Sequence, residues 1–331
     1  MKTVVTGAAG FIGANLVRAL LKEGREIRAI DSFSRGSSKN FEGLHISVFN
    51  ADLRDYGQAL ASVREADTVF HLAAKVGSID SLHGSNSAEL DALQTNLLID
   101  GNVFRACLES GVRRVVYASS VSVYPIDKQD RLGARFREED TRPINPEGGY
   151  GWAKLIGELQ LGLMEGVKSG VARIFNAYGE FSEFDDTAQV VPALVRKAIR
   201  YPAEDFVVWG DGKQTRNPVY VADCVEALLE IEKTARNPPL VLNVGNPQTV
   251  TVKEIAEMVT KISGKKIPLK FDTSKPIGPL SRIPDVALAQ KELGWRPRTG
   301  LEEGITRTYE WMSSEILAQA KINSHRRDQR N

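Results

Sequence analysis

A tyrosine, a lysine and a serine are spaced in the sequence so that they could move a proton together. Tyr150 and Lys154 lie four residues apart in a segment with helical periodicity, so both side chains would lie on one helix face. An ammonium group beside a phenol stabilises the phenolate and lowers the pKa of the phenol. Ser120, predicted at the end of a strand, can share a hydrogen bond with Tyr150 and a substrate hydroxyl. This pattern predicts loss of a hydroxyl proton while the attached carbon gives up a hydride.

A glycine-rich segment near the N-terminus predicts a dinucleotide site. The segment Gly7-Ala-Ala-Gly10-Phe-Ile-Gly13 follows a predicted strand and opens a predicted amphipathic helix. Glycine lets the backbone approach a pyrophosphate, and the helix N-terminus supplies free N–H groups. Asp31 ends the second predicted strand, where a carboxylate accepts the ribose hydroxyls and repels a 2′-phosphate, which predicts NAD rather than NADP. Arg35 lies close enough to weaken that preference.

Residues that follow the third and fourth strands complete the predicted cofactor site. Asp52 and Leu53 would flank the adenine, although Asp52 could instead cap a helix. The small residues after Leu72 would let the backbone lie against the dinucleotide. The predicted cofactor-binding residues are Gly7, Gly10, Phe11, Ile12, Gly13, Asp31, Ser32, Arg35, Asp52, Leu53, Leu72, Ala73, Ala74, Asn96, Tyr150 and Lys154.

A parallel sheet is needed to bring these residues together. Short apolar, β-branched runs alternate with helical patterns in the first half of the chain, which predicts an α/β fold: a Rossmann-type doubly wound parallel sheet with helices on both faces. The predicted strands are Thr3–Thr6, Glu26–Ile30, Ile46–Asn50, Thr68–Leu72, Arg114–Ser119, Val171–Phe175 and Leu240–Val244. The predicted helices are Ile12–Glu23, Tyr56–Val63, Ala88–Ser110, Tyr150–Glu165, Val191–Arg200, Val252–Ser263, Val286–Leu293 and Leu301–Ser314.

The pattern changes after Asn176, which predicts a second unit. We assign 1–176 and about 214–246 to an NAD-binding Rossmann domain. A smaller, discontinuous C-terminal α/β substrate domain would comprise about 177–213 and 247–315, with the ligand in the cleft between the two domains. Residues 316–331 are expected to form a polar, fraying tail.

Composition limits the classes of partner. The chain has 331 residues and a formal net charge of +1, which gives no reason to expect a nucleic acid or a membrane as partner. Cys107 and Cys224 fall in predicted amphipathic helices and are expected to pack there, so we expect neither a disulfide nor a metal site. The N-terminal segment does not have the pattern of a signal peptide, and we expect a cytoplasmic protein.

Several segments together resemble one protein family. GAAGFIG, Asp31, the HLAA turn, YASSVSVYP and YGWAK are similar to the extended short-chain dehydrogenase/reductase family, specifically its NAD-dependent nucleotide-sugar epimerase/dehydratase branch. The segments RIFNAYG, WGDGKQTRNPVYVADCVEALL, LNVGN and LGWRP extend the resemblance over nearly the whole chain. The resemblance implies a Rossmann core, tightly held NAD and a nucleotide-sugar substrate in the interdomain cleft.

The resemblance also implies roles for individual residues. The matching positions assign catalysis to the serine, tyrosine and lysine described above. Arginine holds a diphosphate well because it stays charged and binds through a planar fork, although Arg282 could instead form a surface salt bridge. The predicted substrate-binding residues are Gly77, Ser120, Asn176, Arg216 and Arg282.

The residue at position 122 bears on the type of reaction. Dehydratases and decarboxylases of this branch usually carry glutamate at the position of Ser122, so we rank a dehydratase low. The overall pattern is most similar to GDP-mannose 3,5-epimerases. Their cysteine at this position and their lysine in the stretch around Asp185–Gln189 are both missing, and a hydroxyl is a far weaker base than a thiolate.

We therefore rank 4-epimerisation first. Tyr150 would take the 4-hydroxyl proton, NAD would take the hydride, and the 4-keto sugar would turn before hydride returns to its opposite face. Small residues such as Ser122, the fourth predicted catalytic residue, would leave room for this rotation. A 3,5-epimerase with substituted bases ranks second, and a sugar-nucleotide reductase or dehydrogenase third. A small-alcohol dehydrogenase and a non-catalytic NAD-sensing protein stay open.

Three expectations concern a loop, the assembly and the nucleotide. Lys75, Asp80 and His83 follow the fourth strand and either face the sugar or lie in a solvated loop. The resemblance implies a homodimer in which the helices at 88–110 and 150–165 pair across a two-fold axis. The overall pattern suggests GDP, whereas UDP is the commonest nucleotide in this branch.

Overall fold

The computed structural model describes residues 2–77, Leu82 and residues 84–328. The strands are β1 Lys2–Thr6, β2 Glu26–Asp31, β3 Ser47–Asn50, β4 Thr68–His71, β5 Arg114–Ser120, β6 Arg135–Phe136, β7 Lys168–Ile174, β8 Ala177–Tyr178, β9 Val207–Trp209, β10 Thr215–Arg216, β11 Val219–Tyr220, β12 Leu240–Val244, β13 Val250–Thr251, β14 Lys270–Asp272 and β15 Ile283–Pro284. The helices are α1 Phe11–Lys22, α2 Tyr56–Val63, α3 Asn86–Glu109, α4 Ile126–Gln129, α5 Gly148–Leu163, α6 Val190–Arg200, α7 Val221–Thr234, α8 Val252–Ser263, α9 Ala287–Leu293 and α10 Leu301–Asp328.

The centre of the molecule is a parallel sheet that confirms the predicted doubly wound fold. Seven strands follow the order β12-β7-β5-β4-β1-β2-β3, and every pairing among them is parallel. The order reverses between β1 and β4. Such a reversal leaves a crevice outside the carboxyl ends of the strands, where ligands bind in open α/β sheets.

Helices cover both faces of this sheet. Alternate residues along β1 enter different clusters: Val5 packs with α1 and α7, and Val4 packs with α2, α3 and α5. The edge strand β3 departs from the expected all-buried pattern, because Val48 and Phe49 are each 42% exposed. An edge strand has a neighbour on one side alone, so its side chains remain partly in water.

The C-terminal half adds short elements around the predicted helices. β9 pairs with β14, β10 with β13, and β6 with β15, and none of these short strands was among those predicted. The last helix was predicted to end near Ser314, and this boundary is wrong because α10 continues to Asp328. Residues 315–328 contain neither glycine nor proline, so nothing in that stretch breaks a helix.

Both cysteines pack in helices, as predicted. Cys107 in α3 and Cys224 in α7 are buried and free, and burial raises the pKa of each thiol to about 12. Across residues 2–77, 82 and 84–328, no helix has the length and apolar character needed to cross a bilayer. The same residues contain no cluster of three or more histidine, cysteine or acidic side chains suited to a metal.

Candidate active site

Two positions in the turn between β1 and α1 can hold only glycine. Gly7 has a φ of +64°, and a Cβ there would lie 2.8 Å from the backbone nitrogen of Ala73. A Cβ on Gly13 would lie 2.1 Å from the carbonyl oxygen of Gly7. Gly10 is the N-cap of α1, and Phe11 and Ile12 form its first turn. The open N-terminus of α1 therefore stands directly over the end of β1, where first-turn N–H groups can meet a phosphate.

Asp31 ties the second strand to this turn. Its Oδ2 accepts a hydrogen bond from the backbone nitrogen of Ala9 at 2.9 Å, and its Oδ1 accepts one from Phe33 at 2.8 Å. The loop after Asp31 folds back over the turn, and a Cβ on Gly36 would lie 2.8 Å from the Cβ of Ala9. The sequence analysis missed Gly36. Its position five residues after Asp31, the predicted ribose-binding acid, could have indicated a close approach of the backbone to the glycine-rich turn.

Arg35 and Ser32 are both engaged with protein groups. The guanidinium of Arg35 pairs with the carboxylate of Glu183 and donates to Thr187 Oγ1 at 3.1 Å. Ser32 Oγ donates to Ser34 Oγ at 3.0 Å. Because Glu183 already neutralises Arg35, this arginine is not free to favour a 2′-phosphate over the hydroxyls expected beside Asp31.

Asp52 and Leu53 have different surroundings. Asp52 pairs with Arg54, whose hydrogen bond is the largest effect that lowers the pKa of Asp52. The alternative that Asp52 caps a helix is wrong, because α2 is capped by Asp55, which accepts a hydrogen bond from the backbone of Gln58. Leu53 is buried in the core cluster beside α2 and α3.

A buried asparagine fixes the loop after β4. Asn96 Oδ1 accepts from the backbone nitrogen of Lys75 at 2.7 Å, and its Nδ2 donates to the carbonyl of Lys75 at 3.0 Å. Thr6 Oγ1 accepts from the backbone nitrogens of Leu72 and Ala73, both at 3.2 Å. The backbone through Ala74 is therefore held close to the glycine turn, as the small residues predicted.

The rest of that loop is described in part. The ammonium of Lys75 pairs with the carboxylate of Asp91, which favours the solvated-loop interpretation for this residue. Gly77 is the last residue of the first described range, 2–77. Asp80 and His83 lie outside the described residues.

Glycines on both sides of Tyr150 let the first turn of α5 enter the site. A Cβ on Gly149 would lie 2.2 Å from the carbonyl oxygen of Glu89, and one on Gly151 would lie 2.3 Å from that of Ser122. The helix thus packs tightly against α3 and the turn after β5. This packing brings the phenol of Tyr150 into hydrogen-bond contact with Ser120, as the sequence predicted.

Lys154 lies beneath the tyrosine and is 1% exposed. Its Nζ is 5.9 Å from the ring centroid of Tyr150 and 4.5 Å from that of Tyr117. Burial raises the pKa of Tyr150, and the hydrogen bond with Ser120 opposes that rise. The expectation that Lys154 lowers this pKa is not met, because Lys154 is not among the groups that shift the pKa of Tyr150, and its ammonium lies closer to the ring of Tyr117.

A buried anion compensates the charge of Lys154, and the sequence analysis missed it. Asp100 accepts hydrogen bonds from the ring of His71 at 3.0 Å and from the hydroxyl of Tyr117 at 2.5 Å. Burial alone would raise the pKa of Asp100, but Lys154 and these two donors outweigh it, and the pKa is lowered. Asp100 therefore stays ionised beneath the ammonium. The sequence feature that could have identified Asp100 is an acidic residue at a position of α3 that faces the sheet.

The hydroxyl of Ser122 points at a carboxylate. Ser122 is 6% exposed, and its Oγ donates to Glu147 Oε2 at 2.9 Å. Glu147 Oε1 accepts from Arg282 Nη2 at 2.5 Å. The low rank of a dehydratase rested on the absence of a carboxylate at position 122. That argument was incomplete, because Glu147, the N-cap of α5, places a carboxylate beside Ser122.

Three of the predicted substrate-binding residues, Asn176, Arg216 and Arg282, form a second part of the site. The Nη groups of Arg216 donate to carbonyl oxygens, including that of Pro279 at 3.0 Å. Burial, followed by the charge of Arg282, lowers the pKa of Arg216 to about 10, so the two guanidinium groups lie within electrostatic reach of each other. Arg282 Nε and Asn176 Nδ2 are buried donors with no partner in the described structure. Asn176 also has a φ of +45°, a rare backbone conformation outside glycine.

This arrangement can bind an anion beside a proton-transfer pair. Arg282 pairs with Glu147, and the charge of Arg216 nearby has no ion-pair partner in the described structure, which leaves a net positive charge. Two buried donors also lack acceptors there. Buried donors without partners carry a free-energy cost that a ligand acceptor removes. The alternative for Arg282 was a surface salt bridge. Arg282 does form a salt bridge, with Glu147, but not at the surface, because the two side chains are 15% and 13% exposed.

Comparison with known proteins identifies the family. Residues 3–245 match the NAD dependent epimerase/dehydratase family, so the chain belongs to that family. The match confirms the resemblance drawn from the motifs, and it confirms NAD as the cofactor. The protein is an NAD-dependent enzyme of the class that modifies nucleotide sugars.

Relatives with different reactions are similarly close. The chain is 31% identical to GDP-mannose 3,5-epimerase from Arabidopsis thaliana, over 96% of this chain and 83% of that protein. It is 30% identical to UDP-N-acetyl-alpha-D-glucosaminuronate decarboxylase from Bacillus cytotoxicus, over 94% of this chain and 97% of that protein. The structure of UDP-glucose 4-epimerase with UDP-glucose from Thermotoga maritima superposes with a TM-score of 0.85 at 26% identity, covering 96% and 100% of the two chains.

Proposed function

We propose that the protein is a nucleotide-sugar 4-epimerase that uses NAD. The observation that carries this proposal is the contact between Ser120 and Tyr150 above the buried ammonium of Lys154, with Arg216 and Arg282 in the same site. These groups supply what 4-epimerisation requires: a proton acceptor for a hydroxyl and a clamp for a diphosphate. The similarity to a UDP-glucose 4-epimerase structure over nearly the whole chain supports the same reaction.

The residues around the first turn fit NAD. The pyrophosphate would lie against the N-terminus of α1, where side chains at Gly7 and Gly13 would collide with the backbone. The adenosine ribose would lie beside Asp31, and the loop held by Asn96 would border the nicotinamide half. NAD supplies a reversible acceptor for the hydride of the carbon that bears the reacting hydroxyl.

The protein groups move the proton and orient the sugar. Tyr150 accepts the proton of the 4-hydroxyl, and Ser120 holds both oxygens by hydrogen bonds. The ammonium of Lys154, 5.9 Å from the ring centroid of Tyr150, would stabilise the negative charge that develops on the phenolate. Burial lowers the pKa of Lys154, and the charge of Asp100 opposes that decrease. The proton then returns from Tyr150 to the 4-oxygen after the keto sugar has turned over.

The arginine end of the site anchors the nucleotide during that turn. Arg216 and Arg282 hold the diphosphate, and Asn176 donates its unpartnered amide to the substrate. A clamp at the diphosphate leaves the sugar free to rotate about the bonds that link them. The segments 177–213 and 247–315 would form the substrate domain around this clamp.

A second candidate is 3,5-epimerisation of a GDP-linked hexose. The similarity to the Arabidopsis enzyme over 96% of this chain favours it. The cysteine and lysine of that group are absent, and the carboxylate of Glu147 beside Ser122 would have to act as a substituted base.

We also infer a homodimer formed by α3 and α5. The described surface exposes Leu90 and Leu98 on α3, and Trp152, Leu159 and Leu163 on α5. An exposed apolar surface across two packed helices is typical of an association interface.

The test of the reaction is incubation of the purified protein and NAD with UDP-glucose, UDP-N-acetylglucosamine and GDP-mannose. We expect one of them to give its C4 epimer without net NADH, measured by chromatography and absorbance. NADH that accumulates in proportion to consumed sugar nucleotide would identify a dehydrogenase and contradict the proposal.

A further inference from the structure

The side chain of Glu147 joins the reacting end of the site to its arginine end. One carboxylate oxygen accepts from Ser122 Oγ at 2.9 Å, and the other accepts from Arg282 Nη2 at 2.5 Å. Glu147 is the N-cap of α5, one turn before Tyr150. Burial raises the pKa of Tyr150, and the charge of Glu147 adds to that rise, so the carboxylate lies within electrostatic reach of the phenol.

A sugar bound between Tyr150 and Arg282 must lie close to the carboxylate of Glu147. In a hexose joined to a diphosphate through C1, the reacting C4 lies on the opposite side of the ring. With the diphosphate at Arg282 and the 4-hydroxyl at Tyr150, one edge of the ring lies beside Glu147. A carboxylate accepts hydrogen bonds from hydroxyl groups and repels a second carboxylate.

Epimerisation at C4 brings both edges of the ring to this position in turn. When the keto sugar turns over, the edge with C5 and C6 exchanges places with the edge of C2 and C3. A C6 hydroxymethyl can donate to Glu147 in one of the two orientations. In that same orientation, the C6 carboxylate of a uronic acid lies beside the carboxylate of Glu147. One of the two orientations that epimerisation requires is therefore unfavourable for a uronic acid.

The nearby arginines do not offset this repulsion. Arg282 is already paired with Glu147, and the N–H groups of Arg216 donate to backbone carbonyls. If the diphosphate takes Arg282, Glu147 loses its counter-charge and repels a sugar carboxylate more strongly. If Arg282 stays with Glu147, its bound guanidinium N–H is not available to a uronate.

From this geometry we propose that Glu147 is a specificity-determining residue that selects neutral hexoses and rejects uronic acids. The inference rests on the proposed function, because it requires a nucleotide sugar spanning Tyr150 and Arg282. It adds a substrate class to that function. Like charges a few ångströms apart in a partly buried site repel by more than the free energy of a tenfold change in binding.

The test compares the affinity of matched sugar nucleotides for the full-length protein loaded with NAD. Calorimetry would measure UDP-glucose against UDP-glucuronate, and GDP-mannose against its uronate. For the nucleotide that binds, we expect the wild type to prefer the neutral sugar at least about tenfold. Glu147→Gln removes the charge but keeps an acceptor for Ser122, and should reduce that preference about tenfold or more. Glu147→Asp keeps the charge and should retain the preference.

Glu139→Gln is the matched control, because it removes the same charge from an exposed residue that does not contact Ser122 or Arg282. It should leave the ratio of affinities unchanged. Equal or tighter binding of the uronate by the wild type, or the same ratio in Glu147→Gln, overturns the proposal, and so does failure of both sugars to bind. Binding needs no turnover, so selective binding without epimerisation would refute the proposed reaction and leave the selectivity intact.

Discussion

Each catalytic side chain in this site acts through its neighbours. The hydroxyl of Tyr150 interacts with Ser120, and Lys154 is buried with its ammonium 4.5 Å from the ring centroid of Tyr117. A buried ammonium is costly unless an anion lies close to it. Asp100 supplies that anion, and its two other partners are also buried. The proton-transfer pair therefore depends on a charged group that is itself fully buried.

Tyr150→Phe removes the proton acceptor and should reduce kcat by about 10²–10⁴-fold, the usual range for loss of a general acid–base group. Because Tyr150 is also one of the predicted cofactor-binding residues, bound NAD is measured in the same preparation and kcat is expressed per NAD-loaded protein. A variant with kcat within tenfold of the wild type would show that another group accepts the proton.

His71 should make stability depend on pH. Burial is the largest effect that lowers its pKa in the folded protein, whereas an unfolded chain binds the proton at about pH 6.5. Because the unfolded state then holds more protons, the free energy of unfolding should fall as the pH drops below about 6.5, by up to about 1.4 kcal/mol per pH unit from this residue. Denaturant titrations at several pH values measure the slope.

The contribution of His71 is isolated by His71→Gln, which cannot titrate. This variant should be less stable at neutral pH, since Thr6 and Asp100 lose well-placed partners. Its stability should nevertheless vary less between pH 7 and pH 5 than that of the wild type. Identical slopes for the two proteins would mean that His71 is not the neutral, buried group described above.

Among the elements, those that build the cofactor site were the easiest to predict. The strand before Gly7 and the helix after it form a local unit whose glycine spacing is set by backbone collisions, so sequence alone identifies it. The pairing of Glu147 with Arg282 joins residues far apart in the chain, and no local pattern encodes it. The short strands of the C-terminal half were missed for the same reason, because each depends on a distant partner.

Gly13→Ala tests the element that carries the cofactor. Its methyl group would lie 2.1 Å from the carbonyl oxygen of Gly7, so α1 must move away from the turn. We expect loss of bound NAD and a decrease of about 1–3 kcal/mol in the free energy of unfolding, typical of overpacking. Gly300→Ala is the control, because nothing lies within 4 Å of its Cβ and it lies outside the proposed dimer surface. Equal NAD content in both variants would contradict this description of the turn.

At the scale of the whole molecule, the apolar surface of α3 and α5 predicts the assembly. Leu159→Glu places a charge in the middle of that surface, where Leu159 is 62% exposed, and should convert a dimer to a monomer by light scattering. Leu132→Glu is matched in chemistry and exposure, at 73%, but lies in a loop outside these helices. If the wild type is already a monomer, or if both variants remain dimers, the proposed interface is wrong.

The central claim is that the site moves a hydride out of C4 and returns it to the other face. Proton NMR in heavy water follows this directly, with purified enzyme, NAD and a panel of GDP-mannose, UDP-glucose, UDP-glucuronate and UDP-N-acetylglucosamine. We predict a C4 epimer of a neutral sugar with protium at every ring carbon, because the hydride never exchanges with solvent. Deuterium at C3 or C5 would instead indicate 3,5-epimerisation. NADH accumulation on small alcohols, with no turnover of any sugar nucleotide, would contradict the claim.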